Sequence, residues 1–206
     1  MRFLQELWEK LSLGYTEMSG HPLLKAEIAA ADGVSTDDVM VVLPPEGIYM
    51  AIHCLVDYIK RFGLFVVRTR SSRFSSMAKN SAKMIYSCCT CSSYVINTSN
   101  SFCRKNNGQS FHTVCLYPSY QNLFEHLKTL RCEFSYWSAK TTSSGWHFDL
   151  ENLRAVVKND TRLLVVNFPH NPTGFQPTSA DWAALVEFCR QKDIFLFSDE
   201  IYRLVL

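Results

Sequence analysis

Two short runs near the end of this 206-residue chain combine residue types that could do chemistry together. The first is Asn167-Phe168-Pro169-His170-Asn171-Pro172-Thr173-Gly174 and the second is Ser198-Asp199-Glu200-Ile201-Tyr202. The first puts an amide at the end of an apolar run, on a backbone stiffened by two prolines. The second puts a carboxylate at the end of another apolar run, with a phenol three residues on. A cofactor built on a pyridine ring with an aldehyde needs this set of groups. A carboxylate beside the ring nitrogen keeps it protonated, so the ring can draw in electrons. An amide and a phenol beside the ring hydroxyl hold its oxygen as an anion.

Such groups work only if rigid elements hold them. Leu163-Leu164-Val165-Val166 reads as a strand buried on both faces. Pro169 and Pro172 then exclude helix and ladder, so the chain must loop. Thr178 with Asp181 makes a variant of the capping box. Trp182, Leu185, Phe188 and Cys189 follow at helical spacing, Asp193 ends that helix, and Ile194-Phe195-Leu196-Phe197 reads as the next strand. A β-α-β unit of this kind has parallel strands and a right-handed crossover. Both motifs then fall at the carboxyl ends of neighbouring strands, where open α/β sheets bind ligands.

N-x-P-x-N-P-T-G followed by S-D-E-x-Y at this distance resembles the class I/II aminotransferases, a family of fold-type I pyridoxal-phosphate enzymes. The resemblance implies an α/β fold, a three-layer α/β/α arrangement around a mainly parallel sheet. It implies that Asn171 and Tyr202 hydrogen-bond the cofactor's ring oxygen and that Asp199 pairs with its pyridinium nitrogen. Leu13-Gly14-Tyr15-Thr16 through Lys25, with Leu24 to Ala29 matching L-(K/R)-x-x-I-A, looks like the approach to the family's first large-domain helix. Tyr15 is then a residue reaching across a dimer interface toward the partner's cofactor phosphate, or else a buried structural tyrosine. Val41 to Ile52 resembles the turn opening the helix that receives the phosphate. Pro44 and Pro45 remove two donors there, so contacts must come from Glu46, Gly47 or flanking groups. Tyr117-Pro118-Ser119-Tyr120 resembles the element whose aromatic ring stacks on the cofactor. Tyr120 is the candidate for that ring, or else a core tyrosine at the start of a helix running to about Leu130.

One interval departs from the family pattern. No Asp or Glu occurs between Tyr58 and Phe124, and residues 61–110 hold eight of the 21 Lys and Arg, eleven Ser and four Cys. The remainder has 13 basic and 19 acidic residues, so the formal net charge of +2 comes from this interval alone. Relatives pass from the helix near Lys60 to a strand at His112-Thr113-Val114 through a tight turn. Three readings of 61–110 stand: translated non-coding sequence, which the composition break favours; a genuine basic insertion touching an acidic partner; or a metal site at Cys88, Cys89, Cys91, Cys103 and His112. The last lacks the paired C-x₂₋₄-C spacing of zinc sites, and no metal is expected. Periodicity is absent across the Ser/Asn-rich part, with Leu64-Phe65-Val66-Val67 as its one candidate strand.

Cys54, Cys115, Cys132 and Cys189 sit among apolar residues and read as reduced core thiols. Met1 to Lys10 does not read as a signal peptide; Phe3, Leu4, Leu7, Trp8 and Leu11 suit one face of a short helix instead. No run approaches a membrane span, so a cytoplasmic protein is expected. An excess of basic residues confined to one interval, without a base-reading module around it, argues against nucleic-acid binding.

By resemblance, the Schiff-base lysine lies some tens of residues after Asp-x-x-Tyr, and only Arg203 to Leu206 follow Tyr202. Lys25, Lys140, Lys158 and Lys192 are not in its context. The chain, 1–206, is thus expected to be part of a large domain interrupted at 61–110, without the small domain and without transaminase activity as written. The parent would be a homodimer moving an amino group from an amino acid to a 2-oxo acid. A C–S lyase or cyclopropane-forming synthase parent, or a non-catalytic homologue that is unstable or binds a full-length relative, stands beside that reading.

Overall fold

The structure is a computed structural model that describes residues 14, 17–62, 84–88, 93–95, 111–143 and 145–203, with backbone alone for 44, 61, 62, 84–88 and 93–95. Tyr15, the face formed by Phe3, Leu4, Leu7, Trp8 and Leu11, the strand expected at Leu64 to Val67, and Cys89, Cys91 and Cys103 lie outside the described residues.

In chain order the elements begin with α1 (Pro22–Asp32), a 3-10 turn (Thr36–Asp38), β1 (Val39–Val41) and α2 (Pro44–Phe62). Strands β2 (Met84–Cys88), β3 (Ser93–Val95) and β4 (His112–Tyr117) follow, then α3 (Gln121–Thr129) and β5 (Glu133–Ser138). A hairpin of β6 (Lys140–Thr142) and β7 (Gly145–His147) leads to α4 (Leu150–Val156), β8 (Thr161–Asn167), α5 (Ser179–Lys192) and β9 (Phe195–Asp199).

Alternation along the central strands dictates the layers. On β8, Leu163 and Val165 face one side and Leu164 and Val166 the other; on β9, Phe195 and Phe197 oppose Leu196. All seven are at most 1% exposed, and full burial of such a side chain is worth about 1.5–3 kcal/mol. Both faces therefore need cover. α2 and α3 supply it on one side, through Ile48, Ile52, Leu55, Leu123 and Leu127. α4 and α5 supply it on the other, through Leu153, Trp182, Leu185 and Phe188. The result is the expected three-layer α/β/α arrangement.

The sheet runs β1-β3-β2-β9-β8-β4-β5. From β2 to β5 every neighbouring pair is parallel, and β3 is antiparallel to both β2 and β1. The capping box at α5 forms as its sequence suggests: Asp181 N–H donates to Thr178 Oγ1 at 3.1 Å, and Thr178 N–H donates to Asp181 Oδ2 at 3.2 Å. Gly20 adopts φ 104° just before α1, where the chain passes beside the end of β1, and a side chain there would meet Val41 Cβ at 2.5 Å.

Two expectations are corrected here. Strands β2 and β3 lie within 61–110, where periodicity indicated none, and β2 pairs directly with β9. Their place in the sheet comes from pairing with neighbours, β2 with β9 and β3 with β2 and β1, not from a pattern of their own. Cys54 is exposed rather than in the core, and Cys132 is half-buried, while Cys115 and Cys189 are buried. The buried face of α2 follows Ile48, Ala51, Ile52, Leu55, Val56 and Ile59, and position 54 falls off that stripe.

Candidate functional site

Parallel pairing of β8 with β9 sets Asn167 opposite Asp199 at the carboxyl ends of both strands. Asn167 is buried and bridges the two motifs. Its Nδ2 donates to the Asp199 carbonyl at 3.0 Å, and its Oδ1 accepts the Asn171 N–H at 2.8 Å. The strand end thus fixes the loop that carries Asn171. The Asn171 amide in turn donates to the Tyr202 hydroxyl at 3.4 Å.

These groups share a recess of about 120 Å³. Asn167, Asn171, Asp199 and Tyr202 supply its polar wall, Tyr120 adds a ring, and Pro45 and Ile48 bring the first turns of α2 to its edge. Three of the cofactor-ring candidates, Asn171, Asp199 and Tyr202, therefore converge with the fourth, Tyr120. Tyr120 is 40% exposed and stands just before α3, so it is not the core tyrosine of the alternative reading. Its hydroxyl accepts from Asn122 Nδ2 at 3.0 Å.

Asp199 is 3% exposed. Burial pushes its carboxyl up to about 6, and the Ile201 N–H, donating to Oδ1 at 3.3 Å, pulls only partly against it. Among the described residues no lysine or arginine pairs with it, so the site holds a buried carboxylate in want of a cationic or N–H partner. A protonated pyridine nitrogen, donating its N–H to the carboxylate, would be such a partner.

The start of α2 is less hospitable to an anion. Gly47 N–H closes the first helical turn on the Leu43 carbonyl at 2.9 Å. Pro44 and Pro45 have no N–H, which leaves Glu46 N–H as the remaining main-chain donor of that turn. Neither Glu46 nor Gly47 lines the recess, and the exposed Glu46 carboxylate at the helix start opposes a second negative charge there.

Four residues with structural roles at the site were not singled out from sequence. Asn167 could have been, as the polar end of an apolar strand. His170, 2% exposed, hydrogen-bonds the loop before Tyr120. Glu200 and Arg203 form a clamp reaching back to α1. Arg203 donates to Asp32 Oδ1 at 2.7 Å and to Glu200 Oε2 at 3.3 Å, and Ser198 Oγ donates to Glu200 Oε1 at 3.1 Å. Burial pushes Glu200 up to about 7 against the pull of Arg203 and Ser198. The ring nitrogens of His112 meet Thr161 Oγ1 at 2.8 Å and Ser135 Oγ at 2.9 Å. Among the described residues no cluster of metal-binding side chains occurs and no helix is long and apolar enough to cross a membrane.

Comparison with known proteins bears on the same residues. The family model for aminotransferase class I and II matches residues 9–205. Arginine–pyruvate transaminase AruH of Pseudomonas aeruginosa is 36% identical over 61 residues, 30% of this chain and 16% of that protein. An aspartate aminotransferase of Sulfolobus acidocaldarius is 35% identical over 88 residues, 41% of this chain and 22% of its own length. Among solved structures, N-succinyldiaminopimelate aminotransferase of Mycobacterium tuberculosis superposes with a TM-score of 0.60 at 18% identity, over 97% of this chain and 41% of that one. Cystalysin of Treponema denticola, whose structure contains pyridoxal 5'-phosphate, gives 0.58 at 13% identity, over 96% and 39%. At these identities the structures speak for the fold alone, and this chain spans about two-fifths of their length. The family match runs through nearly the whole sequence and includes both site motifs: the chain belongs to the class I and II aminotransferases.

Proposed function

We propose that this chain supplies the ring-holding wall of a pyridoxal-phosphate site, in a protein that moves an amino group between an amino acid and a 2-oxo acid. One observation carries the reading: Asp199, buried and without a basic partner among the described residues, opens on the same recess as Asn171, Tyr202 and Tyr120. The bound cofactor would supply an electron sink in its pyridine ring. Asp199 would keep a proton on the ring nitrogen, as an anion held close to a cation in a dry site. Asn171 Nδ2 and the Tyr202 hydroxyl, already neighbours, would donate to the ring oxygen. Tyr120 would cover one face of the ring. Glu46 N–H and Gly47 at the start of α2, with Tyr15 of a partner copy, are the candidates for the phosphate end. Exposed Tyr49 and Met50 on α2 support assembly with a second copy.

A second reading has its own observation. The first turn of α2 offers one main-chain N–H beside a glutamate, where a phosphate needs several donors and no like charge. No lysine lines the recess among the described residues. Both facts support a non-catalytic homologue that holds the cofactor loosely or not at all.

Equilibrium dialysis of the full chain against pyridoxal phosphate at pH 8 separates the two. The proposal expects saturable retention that Asp199→Asn weakens by about tenfold or more, the loss of one charge-assisted contact. No retention by the unsubstituted chain would refute it, and retention indifferent to Asp199→Asn would refute this site.

A further inference from the structure

His170 sits in a loop that sequence reading treats as scaffolding for Asn171, yet both of its ring nitrogens are engaged. Nε2 lies 2.8 Å from the Pro118 carbonyl, two residues before Tyr120. A carbonyl only accepts, so Nε2 carries the proton. In the neutral ring Nδ1 is then an acceptor, and at 2.7 Å the Thr173 hydroxyl donates to it. Thr173 Oγ1 accepts in turn from Phe175 N–H at 3.2 Å. Backbone bonds close the loop on itself: His170 N–H donates to the Phe175 carbonyl at 2.9 Å, and Gly174 N–H to the His170 carbonyl at 2.8 Å. Phe148 packs edge-on against the imidazole, with centroids 4.6 Å apart.

Every hydrogen-bonding position of this buried ring is filled, and one of them crosses to a different strand end. The Asn171 loop follows β8, whereas the Pro118 loop follows β4. Among the described residues, the His170–Pro118 contact is the side-chain hydrogen bond between those two loops. We infer that His170 is a positioning residue: it holds the loop of Tyr120 against the loop of Asn171, so that an aromatic ring and an amide from separate strands meet on one recess. The Nε2–H tautomer is fixed by Pro118 and read back through Thr173. Burial lowers the imidazole to about 4, so the neutral form that this arrangement requires is the one present at ordinary pH.

The inference rests on the cofactor reading for its use, but its test does not. Amide hydrogen exchange of the full chain, read by mass spectrometry, compares the parent with His170→Phe, His170→Gln and Thr173→Val. Phenylalanine keeps the packing against Phe148 and removes both hydrogen bonds. Glutamine returns an N–H near the Nε2 position. Exchange in residues 117–123 should rise by about tenfold in His170→Phe, the effect of one lost buried hydrogen bond, and return to within about threefold of the parent in His170→Gln. Thr173→Val, which leaves the ring and Pro118 intact, should raise it less. Peptides of α5 and β9 should not change. Unchanged protection of 117–123 in His170→Phe would overturn the inference, as would a uniform rise across the chain that glutamine fails to reverse. If His170→Phe does not fold, Thr173→Val and His170→Gln decide: protection at 117–123 equal to the parent in Thr173→Val but lost in His170→Gln overturns it. Dialysis against pyridoxal phosphate adds the link to function. His170→Phe should weaken retention in the parent and have no further effect in Tyr120→Ala. Absence of any retention by the parent would refute the proposed function and leave the exchange result to decide the role of His170.

Discussion

Replacing Asp199 by Asn should make the chain more stable, and increasingly so as pH rises. The carboxyl goes from its ordinary 3.8 to about 6 on folding, because burial outweighs the Ile201 N–H. The folded state therefore holds this proton more tightly than the unfolded state does. Above pH 4 the unfolded chain binds fewer protons, so stability falls with rising pH. The fall accrues between about pH 4 and pH 6 and levels off near ~3 kcal/mol, at about 1.4 kcal/mol per pH unit. Asparagine keeps an oxygen for the Ile201 N–H and carries no charge. The variant should thus exceed the parent by about 1 kcal/mol at pH 4.5 and about 3 kcal/mol at pH 8. Glu200, pushed up to about 7, makes both proteins pH-sensitive in the same direction and cancels in the difference. Urea unfolding of both chains without cofactor, followed by circular dichroism at the two pH values, reads the gap directly. A gap that stays constant or narrows toward pH 8 would show that the Asp199 carboxylate is not destabilised by burial. The physical basis of its proposed role would fail with it. The same substitution that stabilises the chain is expected to weaken cofactor retention, a trade-off common where a site stores an unpaired charge.

Other features of the structure lead to further expected outcomes. Asp32→Ala removes one arm of the Arg203 clamp, which is partly open to water; a loss of about 1–2 kcal/mol is expected by urea unfolding, between the values for exposed and buried pairs. Arg131 holds φ 54° just after α3, a conformation that favours glycine, so Arg131→Gly should raise stability by about 0.5–1 kcal/mol in the same assay. Iodoacetamide at pH 8 should modify Cys54 in the folded chain while sparing Cys115 and Cys189, whose thiols burial pushes up to about 12; peptide mass spectrometry reads the labelling, and rapid modification of Cys115 would contradict the packing of β4.

The segment from Leu163 to Tyr202 was legible because several independent signals agree there. Apolar runs mark β8 and β9, prolines exclude other structure between them, and Thr178 with Asp181 marks the helix start. Asn171, Asp199 and Tyr202 come with their elements. Tyr120 was placed through its motif, and the structure adds that it faces the recess. Strands β2 and β3 were not legible. Met84-Ile85-Tyr86-Ser87-Cys88 has no alternation to read, and its pairing depends on β9, far away in sequence. Cys54 was misplaced because apolar neighbours in sequence are not neighbours on a helix. His170 was overlooked because its partners, Pro118 and Thr173, are visible only when two loops after different strands are brought together.

The strand order also carries a temporal consequence. Cys115 pairs with Tyr136 and Val165 with Phe197, so the segments joining β4 to β5 and β8 to β9 are short. Tyr86 pairs with Ser198 across more than half the chain. Loop-closure entropy grows with the logarithm of length, and this longer closure costs about 1 kcal/mol more than that of β8 with β9. The topology implies that β9, β8, β4 and β5 assemble first and that β2 is the late arrival. Until then β9 is an open edge. Asp199 pairs with Ser87 at the end of that edge, so the backbone that carries this carboxylate gains its second strand neighbour only in the closing step of folding.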